Sequence, residues 1–291
     1  MSQPRPEQSN YLTVENVTSG DPYYKTLFDN HTNLLIEHTC ESILNAENGV
    51  SGISLENSDE IFLDNTKTYS IDLNKFAKLK IKNELTLNEE LLQYPGMSGV
   101  KTRHLYNNIC NLYGRKGIRV NYLEIGVWNG SSSIAAMFKN QISDSLFIDN
   151  WSQFNGDRSI FIKAMEKYKT VTSKYSFIES DCWVIDTNTL PQKYFNIYLY
   201  DGDHTELDQY RALVHYLDVL QDTFIFLVDD WNFMHVRDGT FRAIRELNLT
   251  VNFRYENFIS REHLSGMPNH EGKKTFWNGC GIFVLTKPKN L

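Results

Sequence analysis

Five apolar segments of this chain each close on an acid, and that repetition restricts the fold more than any other feature. Val120–Ile125 contains Glu124 and runs into a glycine loop, and Ser145–Ile148 is followed by Asp149. Ser176–Ile178 leads into Glu179 and Asp181, Phe195–Tyr200 into Asp201, and Thr223–Val228 into Asp229 and Asp230. Stretches such as FNIYLY and FIFLV are apolar almost throughout, as strands covered on both faces must be. Helical spacing separates them at Ser131–Phe138, Ser159–Tyr168, Leu207–Leu220 and Arg237–Leu247, and His104–Tyr113 reads as a helix ending near Gly114. Alternation of this kind predicts an α/β domain over residues 96–291. Its sheet is doubly wound and mostly parallel, of order 3-2-1-4-5, with right-handed crossovers. The closing segment GCGIFVLTK reads as a last, antiparallel strand beside one near Val251–Ile259.

Residues 1–95 follow a different pattern. Tyr23–Leu44 carries helically spaced apolar residues (Leu27, Leu34, Leu35, Ile36), a turn-rich stretch covers Asn45–Ser58, and Tyr94-Pro95-Gly96 breaks the chain. This part is read as an N-terminal extension, serving as a lid, a dimerisation arm or a substrate-recruiting arm. A homo-oligomer is therefore an expected partner state.

With 41% hydrophobic and 22% charged residues among 291, a packed core is expected. The net charge of −7 argues against nucleic acid as the main partner. The opening MSQPRPEQSN lacks a signal-peptide pattern, and no apolar run approaches the ~20 residues of a membrane span, so a cytoplasmic protein without membrane contact is expected. Cys40, Cys110, Cys182 and Cys280 are scattered and form no CxxC pair, which points to plain thiols rather than zinc ligands or disulfides.

The loop after the first strand narrows the ligand. In NYLEIGVWNGSSS, Gly126 and Gly130 flank Trp128, and a serine run containing Ser132 opens the next helix. A dinucleotide fingerprint needs glycine where Trp128 stands, so that the backbone can meet a pyrophosphate. This loop suits a nucleoside-like ligand that brings no phosphates. Acids at strand ends project into the crevice above the sheet. A carboxylate after the second strand can accept both hydroxyls of a ribose, which assigns Asp149. One after the third can accept from an exocyclic adenine amine, which assigns Asp181. Glu124 can either fix the loop or receive a cationic amino group. Together these describe a site for an adenosine with an amino-acid-like tail.

On these residues the chain resembles the class I S-adenosylmethionine-dependent methyltransferases over roughly residues 97–287. LEIGVWNGSS resembles their glycine-rich first motif, and FIDNW their ribose-binding acid. Asp201-Gly-Asp-His204 followed by Asp229-Asp230 is similar to the macrocin O-methyltransferase-like subgroup, which methylates sugar hydroxyls. The resemblance implies a Rossmann-like methyltransferase sheet and S-adenosylmethionine as cofactor, bound by Glu124, Gly126, Trp128, Gly130, Ser132, Asp149, Asp181 and Asp201. It implies carbohydrate modification on a small-molecule or glycan acceptor, and it supplies no role for the first ~95 residues.

Strands four and five are neighbours in the expected order, about 4.8 Å apart. Asp201 would then stand beside Asp229 or Asp230, and crowded carboxylates invite a cation. Three oxygen ligands suit Mg²⁺, which is expected at Asp201, Asp229 and Asp230, as a Lewis acid and template for acceptor hydroxyls. His204 follows Asp201 by one helical turn if a helix begins near Gly202, and its ordinary pKa suits a general base. His235 is a weaker candidate for substrate contact. Trp151, Trp183, Trp231 and Trp277 could stack on a ring but are more simply packing residues, and Arg237 and Arg242 could hold an acidic acceptor or lie on the surface. The competing reading is a metal-dependent glycosyltransferase using Asp201-Gly-Asp203 as a DxD motif, and a silent binding module is a third.

Overall fold

The structure is a computed structural model, and it describes residues 11–13, 30–51, 86–257 and 276–289. Five parallel strands form the centre of its sheet: β2 (Asn121–Ile125), β3 (Asp144–Asp149), β4 (Ser176–Glu179), β5 (Phe195–Tyr200) and β6 (Leu220–Asp229). They lie in the order β4-β3-β2-β5-β6, the expected 3-2-1-4-5. Beyond β6 the last strand, β8 (Cys280–Thr286), enters antiparallel between β6 and β7 (Thr250–Asn257). A short strand, β1 (Tyr11–Thr13), extends the edge antiparallel to β7. The sheet is thus Rossmann-like, mostly parallel, with its reversed strands on one side, as the methyltransferase resemblance implied.

Both faces are covered because successive side chains on the strands alternate. Tyr122, Phe147, Ile197, Leu199, Ile225 and Leu227 point to one layer. That layer contains α1 (Asn30–Ser51), α3 (Val100–Cys110), α4 (Leu112–Lys116), α5 (Ser131–Met137) and α6 (Arg158–Tyr168), preceded by the single turn α2 (Glu89–Leu92). Leu123, Ile148, Tyr198, Tyr200, Phe224 and Phe226 point the other way, onto α7 (Glu206–Tyr216) and α8 (Met234–Glu246). Each of these residues is fully buried, and a large apolar side chain so placed contributes on the order of 2 kcal/mol.

Several element bounds differ from expectation for local reasons. The helix expected to end near Gly114 instead breaks at Asn111, and the left-handed stop falls to Gly117 (φ 70°), as a C′ glycine permits. The helix expected from Leu207 begins at Glu206, because the Thr205 hydroxyl accepts from the Asp208 amide and caps it. His204 consequently sits in the loop before α7 rather than on its first turn.

Within the N-terminal extension, the helix expected at Tyr23–Leu44 is α1 at Asn30–Ser51, while residues 23–29 and 52–85 fall outside the described part. Leu35, Ile36, Cys40, Ile43 and Ala46 of α1 join the same core as the strands. His38 Nε2 donates to the Ile109 carbonyl (2.7 Å), Asn108 to the Ser42 carbonyl (3.2 Å), and Lys116 reaches Glu37 and Glu41. Helix α1 is built into the α/β core, not appended to it. No helix among the described residues is long and apolar enough to cross a membrane.

Candidate active site

The carboxyl edge of β2, β3, β4 and β5 opens into a cavity of about 490 Å³. Such a volume is typical for a small-molecule site. Gly126 forms its floor, and the position has a double requirement for glycine. Its φ is +86°, and a Cβ there would lie 1.9 Å from the Asp201 carbonyl oxygen. The loop can therefore pass directly over the end of β5. Gly126 N–H also donates to Ile148 O, and Asp201 N–H to Ile125 O, so the ladder continues past all three strand ends.

Asp149 and Asp181 both line the cavity. Asp149 accepts the Trp128 amide on Oδ2 (2.8 Å) and the Trp151 amide on Oδ1 (2.6 Å), which fixes the loops on either side of it. Each carboxylate oxygen still has a lone pair for a hydroxyl. Asp181 spends Oδ1 on the Trp183 amide (2.9 Å), capping the turn Cys182–Val184, and its other oxygen is uncommitted. Trp128 and Trp183 form apolar walls, with Phe154 and Met97 at the rim. Met97, Asn150, Gln153, Phe154, Cys182 and Asp208 also line the cavity, which no motif in the sequence indicated. Only Asn150 and Cys182, adjacent to the two assigned acids, carried any signal.

Three residues assigned to the cofactor do not line the cavity. Glu124 is fully buried beneath the loop and accepts from Tyr122 Oη (2.9 Å), Ser132 Oγ (2.5 Å) and Ser133 Oγ (3.0 Å). Burial pushes its carboxyl up to about 7 against the opposing pull of those hydroxyls. Of its two anticipated roles it performs the loop-fixing one. Ser132 is spent on that bond. Gly130 serves as the left-handed N-cap of α5 (φ +90°), with the Phe161 ring 3.0 Å from where a Cβ would stand.

At the far end of the cavity, parallel pairing of Tyr200 with Val228 sets Asp201 beside Asp229. The two carboxylates are in hydrogen-bond contact, and both are driven well up, first by burial and then by neighbouring acids. Asp230, in a left-handed turn (φ 56°), points elsewhere. It accepts from Asn278 (2.7 Å) and stands 3.1 Å from His204 Nε2. Among the described residues no three acids, histidines or cysteines are arranged to hold a metal ion. The expected three-carboxylate Mg²⁺ set is not assembled, because Asp230 is drawn off towards His204 and Asn278.

None of the remaining candidates lines the cavity. Trp231 is wholly buried and donates to Glu256, and Trp151 donates to the Trp128 carbonyl and packs on Phe161 and Phe177. Trp277 lies outside the cavity lining. Arg237 donates to the carbonyls of Trp231 and Asn232, and Arg242 pairs with Glu246 on the surface. His235 stacks on Phe233, away from the cavity. The DxD alternative gains nothing from the geometry: Asp201 faces Asp229, while Asp203 lies in the following loop.

Comparison with protein-family models and with curated proteins finds no match. Solved structures show a partial likeness. An O-methyltransferase from Bacillus cereus in complex with SAH is 12% identical with a TM-score of 0.46, the alignment covering 72% of this chain and 97% of that one. A precorrin 8W decarboxylase from Methanobacterium thermoautotrophicum is 14% identical, with a TM-score of 0.43 and coverages of 67% and 93%. A Streptococcus mutans protein assigned as a SAM-dependent methyltransferase is 10% identical at a TM-score of 0.42, covering 64% of this chain. The chain spans about half the length of that protein (48%) and of a further methyltransferase structure solved with SAH (49%).

Proposed function

We propose that this protein is an S-adenosylmethionine-dependent O-methyltransferase, that it acts on a hydroxyl of a sugar or other polyhydroxylated acceptor, and that His204 is its general base. The observation that carries the reading is one cavity with an adenosine-type acid pair, Asp149 and Asp181, at one end and an acid-oriented histidine at the other. S-adenosylmethionine, when bound, supplies a methyl group on a sulfonium. Asp149 keeps lone pairs for the ribose hydroxyls, and the uncommitted oxygen of Asp181 suits the adenine amine.

With its Nε2 proton donated to Asp230, His204 has its lone pair on Nδ1, which no donor among the described residues occupies. That nitrogen is buried as the side chain stands, and in this reading it takes the acceptor's hydroxyl proton once substrate binding turns it to the cavity. The acceptor oxygen bonds to the methyl carbon as the carbon–sulfur bond breaks, its electron pair remaining on sulfur. Asp201, Asp203 and Asp208 also line the cavity, and carboxylates there would suit an acceptor with several hydroxyls. A divalent ion such as Mg²⁺ at Asp201 and Asp229 belongs to this reading, since a cation would relieve their repulsion. The side chains as they stand do not surround one, and the proton transfer above does not depend on it.

Methyl-labelled cofactor incubated with sugars, glycosides and catechols tests the reading. The expected result is label in an ether on a hydroxylated acceptor, lost in His204→Ala while S-adenosylhomocysteine binding persists. Unchanged turnover in His204→Ala removes the base, and label on nitrogen or carboxylate contradicts the acceptor class. Exhaustive chelation with no change in turnover removes the metal alone.

A further inference from the structure

Asp149, Asp181, Asp201, Asp203 and Asp208 all line the cavity, and among the described residues no lysine or arginine does. Arg211 lies over the Trp183 ring (5.9 Å to its centre) without joining the lining, and His204 is already accompanied by Asp230. Carboxylates gathered in a cleft between the apolar walls of Trp128 and Trp183 focus a negative field, because such walls screen charge less than water does. The methyltransferase reading uses part of this charge. Asp149 and Asp181 serve the nucleoside, and the sulfonium cofactor itself brings a net positive charge.

Asp203 and Asp208 are left over, one on each side of His204 in the chain. No donor among the described residues meets the Asp203 carboxylate; only its backbone carbonyl is used, by the Tyr200 hydroxyl (3.1 Å). Asp208 gives Oδ2 to the Thr205 hydroxyl (2.5 Å) and keeps Oδ1 for a ligand. The wall behind them is also short of positive partners. Asp229 is 5% exposed and lies against Asp201, and no donor among the described residues meets its Oδ1. A neutral polyol would hydrogen-bond to such carboxylates and leave their charge uncompensated, whereas a positive group would satisfy both needs.

We infer that the acceptor carries a protonated amine beside its hydroxyls, as an amino sugar does, and that Asp203 and Asp208 bind this ammonium. The inference rests on the O-methyltransferase reading and narrows its acceptor class. An ammonium offers three donors and no acceptor, which complements carboxylate oxygens. Held by the acids on either side of His204, it would bring the acceptor's hydroxyls to the histidine end of the cavity.

Ligand-observed NMR on the full chain saturated with S-adenosylhomocysteine tests it, comparing glucosamine with glucose, galactosamine with galactose and mannosamine with mannose. Excess Mg²⁺ is present throughout, so that an ion held by Asp201 and Asp229 is not mistaken for the amine's site. N-Acetylglucosamine keeps the nitrogen without its charge, and glucuronate reverses the charge. In at least one pair the amine is expected to bind about 10- to 100-fold more tightly than its parent, the range for one charge-assisted bond. N-Acetylglucosamine and glucuronate should show no such gain, and Asp203→Asn should bring the amine-to-parent ratio towards one. Equal binding of amine and parent in every pair overturns the inference without using a variant. So does the absence of binding by any of these sugars, or a preference that Asp203→Asn and Asp208→Asn both leave intact. Failure of wild type to bind S-adenosylhomocysteine contradicts the methyltransferase reading itself.

Discussion

Asp230 Oδ2 stands 3.1 Å from His204 Nε2, and it does so because Asp230 adopts a left-handed turn immediately after β6. The neighbouring Asp229 continues the strand and meets Asp201 instead. Two adjacent acids thus meet different partners, His204 for Asp230 and the acid on β5 for Asp229. Asp230→Asn keeps the side chain's size but weakens its hold on the Nε2 proton, and with it the choice of tautomer. Turnover should fall about 10- to 100-fold, with S-adenosylhomocysteine affinity within about twofold of wild type. Steady-state kinetics paired with calorimetry reads both numbers, and unchanged turnover would remove Asp230 from the proton path.

Asp149→Asn should weaken the cofactor site by a different route. An amide offers one acceptor oxygen where the carboxylate offers two, so the Trp128 or the Trp151 backbone N–H is left without its partner. The expected loss of S-adenosylhomocysteine affinity is about tenfold or more. The same substitution at Asp144, on the opposite end of β3, should leave affinity unchanged.

Glu124 should make stability depend on pH. Its folded pKa of about 7 lies above the ordinary 4.5, so the native state holds a proton that the unfolded chain gives up. Its contribution is therefore complete below about 4.5 and lost as pH rises through 7, a change on the order of 3 kcal/mol. Thermal melts between pH 5 and pH 8 should show a falling Tm for wild type relative to Glu124→Gln. Parallel pH profiles for the two proteins would show that Glu124 titrates normally.

Two glycines separate strain from collision. Gly117 has φ +70° and open space for 4 Å around the point where a Cβ would stand, so Gly117→Ala should cost only the left-handed penalty of about 1 kcal/mol. Gly126→Ala adds a clash with the Asp201 backbone at the junction of β2 and β5, and should cost several-fold more and abolish cofactor binding. Urea denaturation of both variants measures the difference.

The parallel strands and their order were legible because each is a near-continuous apolar run with a long crossover between it and the next. The side on which an acid lies was legible in principle as well. Tyr122 and Glu124 are two residues apart on β2, and so share a face, and Tyr122 belongs to the layer of α3 and α5. Reading that period would have turned Glu124 away from the ligand. What could not be read is contact between distant segments. The partner of Trp231 is Glu256, twenty-five positions on, and the carbonyls that hold Arg103 belong to the single turn α2 and to Tyr94 just after it, a stretch that shows no helical period. His204 missed its expected helix because Thr205, one residue later, makes the better cap.

Calorimetric titration of the wild-type chain with S-adenosylhomocysteine, run beside a UDP-sugar, is the sharpest test of the cofactor assignment. One saturable site for S-adenosylhomocysteine, weakened in Asp149→Asn, and no heat from the UDP-sugar are expected. Binding of the UDP-sugar with none of S-adenosylhomocysteine would contradict it.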